Sequence, residues 1–122
     1  MILADTSVWV HHFRYGNEYL LDLLNDNIIA CHRNVVIELA LGSLPDRNNT
    51  LAFFDGLPLL LEAELSELRQ FIDTRRLFNR GIGLVDLSLL AACLINSGTV
   101  LWTRDRRLKD AAVECGVAFN LD

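Results

Sequence analysis

The sequence contains no apolar run approaching the ~18 residues needed to span a bilayer. Its start, Met1-Ile2-Leu3-Ala4-Asp5, has neither the basic residues nor the long apolar stretch of a secretory signal, so a cytoplasmic protein is expected. Cysteine is scarce too. Cys31, Cys93 and Cys115 are odd in number, far apart and set in apolar segments, which argues for small core residues and against a disulfide framework or CxxC metal site. Net positive charge is absent: the formal charge is -5 and Lys109 is the only lysine. A nonspecific nucleic-acid binder relying on an overall basic field is thereby excluded. Two local basic runs remain, Arg75, Arg76 and Arg80, and Arg104, Arg106, Arg107 and Lys109, readable as solvated helix surface or as phosphate contacts. The chain also lacks a P-loop, a GxGxxG turn and a GxSxG turn around Ser7 or Ser88. His11, His12 and His32 have no carboxylate or cysteine at a metal-motif spacing.

What is present is apolar sequence. At 122 residues and 52% apolar content, the chain supports one compact core, and residues 1–122 read as a single domain. So small a domain does not need this much apolar sequence for itself, and part of it is expected to cover a partner.

Short apolar runs alternate with segments of helical period, with no repeat or low-complexity linker between them. Ile2–Ala4 reads as a strand, followed by a helix starting near Val8 and capped by Thr6 or Ser7. Gly16 breaks the chain before a helix marked by Leu20, Leu23 and Leu24. A strand over 28–31 leads to a helix over 34–41 that ends at Gly42. A helix over 49–55, a strand over 58–61 and an amphipathic helix over 64–79, with Leu65, Leu68 and Ile72 on one face, come next. The segment 86–96 carries apolar residues on several stripes and reads as a buried helix. A strand over 99–102, a helix marked by Leu108, Ala111, Ala112 and Cys115, and a final strand near 117–119 complete the order. This alternation predicts an α/β fold, a central parallel sheet flanked by helices on both faces.

Asp5 follows Ile2-Leu3-Ala4, Glu38 lies within Val35 to Leu41, and Asp86 lies within Leu84-Val85-Asp86-Leu87. A carboxylate drawn into such surroundings is costly unless a cation or donors receive it. Asp105 follows the strand ending Leu101-Trp102-Thr103. Asp5 and Asp105 fall just past strand ends, with Glu38 and Asp86 near helix starts, the edge where open α/β sheets gather ligands. Singly, Asp5 and Asp86 read equally well as helix caps, Glu38 as a dipole partner and Asp105 as a first-turn charge. Together, carboxylates about 4 Å apart repel by roughly 4 kcal/mol at an effective dielectric near 20. Such a cluster draws protons or a divalent ion, and all-oxygen ligands favour Mg²⁺ or Mn²⁺ over zinc.

The segments Asp5-Thr6-Ser7-Val8-Trp9, Val36 to Gly42, Gly81 to Ala91 and Leu101 to Asp105 resemble, in order, the motifs of PIN-domain ribonucleases, specifically VapC-type toxins. The resemblance runs from Asp5 to near Phe119. It implies a PIN-like fold and an Mg²⁺- or Mn²⁺-dependent endoribonuclease with Asp5, Glu38, Asp86 and Asp105 as the metal-binding catalytic cluster. Thr6 or Thr103 would supply hydroxyl support, and the basic run at Arg104, Arg106 and Arg107, read independently of the resemblance, would contact RNA. It also implies a homodimer held inactive by a VapB-type antitoxin whose tail fills the acidic groove. The chain departs from the pattern after Trp9, where the family often places an acid and this sequence has Val10-His11-His12-Phe13-Arg14. Two competing readings are a noncatalytic PIN-like module whose acidic pocket receives a basic partner tail, and a phospho-accepting receiver domain. The receiver reading is poorly served by Glu62 after Leu61 and by Lys109 as the sole lysine.

Overall fold

The structure, a computed structural model, describes residues 1–120. Three short strands form a parallel sheet: β1 (Ile2–Ala4), β2 (Ile29–Ala30) and β3 (Val100–Trp102), in the order β2-β1-β3. Register pairs Ile2 with Ile29 and with Val100, which places β1 at the centre with every residue buried. The uninterrupted apolar run of β1 follows from that position, since a central parallel strand has no solvated face.

The segments expected as outer strands are each reduced to an isolated bridge, Cys31 with Leu59 and Leu101 with Ala118. Near Leu59 the cause is visible. Pro58 has no N–H to give the ladder, and the backbone N–H and C=O of Leu61 are both bound by the Asn96 side chain, at 3.2 and 3.0 Å. A side chain thus replaces the ladder after a single pair.

The helices are α1 (Thr6–Tyr15), α2 (Glu18–Asn25), α3 (Arg33–Leu41), α4 (Arg47–Asp55), α5 (Leu65–Arg75), α6 (Leu84–Ile95) and α7 (Arg106–Glu114). Connections from β1 to β2 and on to Leu59 step outward in one direction, and those through β3 to Ala118 step the other way. Right-handed crossovers therefore place α1 to α4 on one face and α5 to α7 on the other. The packing of α1 on α3, α3 on α4 and α5 on α6 agrees, while α3 also meets α6, assigned to the opposite face. Seven consecutive residues of α6, Leu87 to Cys93, are buried, as its multiple apolar stripes require.

Several boundaries depart from expectation. Asp5, rather than Thr6 or Ser7, caps α1, accepting from the Val8 N–H at 3.2 Å. His32 caps α3 through Nδ1, which accepts the Asn34 N–H at 3.0 Å. Helix α5 stops at Arg75 instead of Asn79 because Arg76 turns into the left-handed region (φ 54°), and Asn79 does so again (φ 59°). Leu65 is 73% exposed although Leu68 is buried, since it sits in the first turn beyond the packed part of the helix.

Candidate active site

The crevice at the carboxyl end of β1 and β3 is where the crossovers diverge, the point at which α/β sheets leave room for a ligand. Asp5 leaves β1 at that point. It is only 5% exposed, and its carboxylate is held by donors on several sides. Ser7 Oγ donates to Oδ1, Thr103 Oγ1 donates to Oδ2, and the Val8 N–H donates to Oδ1. Burial raises the Asp5 pKa above the usual carboxylate range, and these hydrogen bonds only partly oppose the shift. Ser7, missed as a site residue, also accepts the Arg104 N–H at 2.9 Å, so one hydroxyl ties the start of α1 to the loop after β3.

Thr103 performs the complementary link. While donating to Asp5, its hydroxyl accepts the Asp105 N–H at 3.0 Å. Asp105 is the N-cap of α7, with Oδ1 accepting from Arg107 N–H at 2.9 Å and Leu108 N–H at 3.3 Å. One of its oxygens is thus occupied by the helix start, as an N-cap and not as the first-turn charge expected of it, and the other has no partner among the described residues.

Glu38 corrects the expectation from its apolar neighbours. It lies in the second turn of α3, not at the helix start, and it is exposed while Val35 and Leu39 are buried. Those neighbours face other directions around the helix. Thr6 Oγ1 donates to Glu38 Oε1 at 2.6 Å and draws the side chain back toward Asp5. Asp86 lies in the first turn of α6 and is half-buried. Its pKa is raised, first by burial and then by the charges of Asp105, Asp5 and Glu38.

The four acids therefore share one electrostatic neighbourhood. They do not stand at ligating distance: among the described residues no three His, Cys, Asp or Glu side chains have metal-binding spacing. Like charge raises the affinity of such a cluster for a cation. The donor set itself is all hard oxygen and suits Mg²⁺ or Mn²⁺. Cys31 and Cys93 are buried elsewhere, with thiols pushed up to about 11 and about 12 by burial.

A model of the PIN domain matches residues 2–114. The chain belongs to the PIN-domain family. It is 43% identical over 119 residues to Ribonuclease VapC32 from two Mycobacterium tuberculosis strains, spanning 98% of this chain and 96% of each relative. The fold is shared with the crystal structure of PAE2754 from Pyrobaculum aerophilum, at a TM-score of 0.61 and 20% identity over 97% of this chain and 87% of that one. Around the acids of this PIN domain, Arg104, Arg106 and Arg107 are exposed at the start of α7. Arg107 is also packed: a Cβ on Gly81 (φ +74°) would lie 2.7 Å from its Nη1, so the glycine admits Arg107 over the loop that leads into α6. Arg80 pairs with Glu114 at 2.7 Å and serves as a surface brace.

Proposed function

We propose that this PIN domain is an endoribonuclease in which Asp5, Glu38, Asp86 and Asp105 hold Mg²⁺ or Mn²⁺. The observation that carries the reading is that Thr103 ties Asp5 to Asp105 and Thr6, beside Asp5, holds Glu38, with Asp86 near enough to feel the charge of all three. The likeness to a relative named as a ribonuclease supplies the substrate class.

Held by these four acids, such an ion would offset their charge and would supply Lewis-acid polarisation of a phosphoryl oxygen and activation of water. The chain's own residues supply orientation. Asp5, fixed by Ser7 and Thr103, is the preorganised anchor. Thr103 couples its position to that of Asp105 by hydrogen bonds to both, and Thr6, next to Asp5 in the chain, donates to Glu38. Arg104 and Arg106 are exposed at the rim, placed for phosphate contact, and Arg107 adds charge beside the Gly81 loop.

The VapC name of the relatives supports a toxin role, with a VapB-type antitoxin as partner and a homodimer as the assembled form. Exposed Leu41, Leu61 and Leu65, at 84, 70 and 73%, are apolar surface for such partners. The family model spans nearly the whole chain, which supports reading it as one domain. No helix among the described residues is long and apolar enough to cross a membrane, and we place the protein in the cytoplasm.

The test is cleavage of RNA by the purified chain, freed of partner, with Mg²⁺ or Mn²⁺, beside Asp5→Asn and Asp86→Asn. Cleavage by the parent alone, abolished by EDTA, is expected. Equal cleavage by the variants, or in EDTA, would refute the mechanism. Tight binding of a basic peptide without any metal binding would favour the noncatalytic module.

A further inference from the structure

Next to the acids, on the β2 side, lies a cavity of about 610 Å³ lined by His32, Asn34, Glu62, Leu65, Leu84 and Ser88 with their neighbours. It adjoins the candidate active site through a staple between helices. Asn34 Nδ2 donates to Ser88 Oγ at 3.0 Å, joining α3 to α6. Glu38 is one helical turn beyond Asn34, and Asp86 is two residues before Ser88.

The wall of this cavity holds an unmet donor. His32 is 1% exposed, and its Nδ1 accepts the Asn34 N–H, so a singly protonated imidazole carries its hydrogen on Nε2. Burial lowers its pKa and keeps it neutral. Nε2 has no partner; Glu62 Oε1 lies 4.0 Å away, beyond hydrogen-bond range. The other Glu62 oxygen accepts from Arg33 Nε at 2.5 Å, which anchors the carboxylate from the solvent side.

We propose that the cavity is a nucleobase subsite that reads guanine, with the His32 N–H on O6 and the Glu62 carboxylate on N1–H and N2–H. The proposal takes RNA as the substrate from the ribonuclease reading. The choice of ligand follows from the donor and acceptor order. A phosphate would satisfy His32 and face the charges of Glu62 and Glu64. A guanidinium or ammonium would satisfy the acids and set a donor against the His32 donor. A base edge meets both, and guanine alone presents one acceptor followed by two donors, which matches one N–H followed by a two-oxygen carboxylate. Uracil would turn O2 toward the carboxylate, while adenine and cytosine reverse the order. The apolar side chains of Leu65, Leu68 and Leu84 offer surface for the base faces. Nε2 has no area open to water, so the base enters only when Glu62, 28% exposed, and the Arg33 side chain bound to it turn outward together, with the carboxylate then closing on the base edge.

The experiment is a titration of the full chain with guanosine, inosine, adenosine, cytidine, uridine and arginine amide, followed at the His32 imidazole nitrogens by NMR. Guanosine is expected to move the Nε2 resonance and to bind about tenfold more tightly than inosine, which lacks the second donor. His32→Asn keeps a capping acceptor for α3 and, being shorter, withdraws the donor from the Nε2 position; Glu62→Gln alters the acceptor on the exposed side and leaves the core intact. Each variant should bring guanosine to the level of adenosine. Equal affinity for all nucleosides, an unmoved His32 resonance, a preference retained in Glu62→Gln, or a response to arginine amide alone would overturn the subsite. Nucleosides need not be cut to bind. A chain that cleaves RNA without reading guanosine refutes the subsite only, whereas one that reads guanosine and cuts no RNA refutes the ribonuclease reading only.

Discussion

Asp5 and Glu38 belong to the same cluster of acids but are held in opposite ways. Asp5 is buried at the end of the central strand, capping α1 and receiving two hydroxyl donors. Glu38 is exposed on the second turn of α3, with one hydroxyl contact from Thr6. The difference teaches that a carboxylate cluster can be built around one rigid member. The buried acid fixes a point in space, and in the proposed site the less buried acids would bring their charge to a cation held there.

If that division holds, Asp5→Asn and Glu38→Gln each reduce RNA cleavage by at least about 100-fold, since losing even a group that supports a metal ligand costs roughly 10- to 100-fold. Stability separates them. Asp5→Ala strands the Ser7 and Thr103 hydroxyls and the Val8 N–H, and should cost about 2 kcal/mol in urea unfolding with EDTA present. Glu38→Ala should stay within about 0.5 kcal/mol. Equal losses would end the distinction between anchor and arm.

The hydroxyls give a finer contrast. Thr103→Val removes a bond to Asp5 and one from Asp105, and is expected to weaken Mn²⁺ affinity by about 10- to 100-fold, read by calorimetry. Thr6→Val releases only the exposed Glu38 and should fall near the bottom of that range or below it. A larger effect from Thr6 would reverse the order of rigidity.

The smallest expected effect is on pH dependence. Asp86 has a folded pKa raised above 3.8, so the folded chain binds protons more readily than the unfolded one between that value and the raised one. Stability with EDTA therefore falls as pH rises through that window, and the penalty persists above it. Asp86→Asn lacks this term. Its stability relative to the parent should increase from about pH 4 to about pH 7 in urea unfolding, and an unchanged difference would contradict the raised pKa.

Much of this arrangement was legible in the residues themselves. The apolar run ending at Asp5 marks both a central parallel strand and a costly acid, because one residue leaves the strand where the core still surrounds it. The apolar stripes of α6 announce its burial. Glu38 shows the limit of the same reasoning: apolar neighbours in sequence imply burial along a strand, but on a helix successive residues point around the axis. The links made by Ser7 and Asn96 join residues 97 and 35 positions apart, and no local pattern records such pairs. Likewise, His32 looked isolated because the groups that surround it, its Asn34 backbone partner and Glu62 at 4.0 Å across the fold, form no metal-like spacing. Asp105 entered through its strand-end position and the family motif, since by itself it read as an ordinary first-turn charge.

The four acids as one cation site can be tested most directly by thermal unfolding of the parent and Asp86→Asn across a Mn²⁺ titration. Binding to the folded state alone should raise the parent midpoint steadily with metal concentration. The variant should begin higher in EDTA, relieved of repulsion from Asp105, Asp5 and Glu38, and respond little to Mn²⁺. Parallel curves, with the variant starting no higher and rising as far as the parent, would contradict a shared cation site.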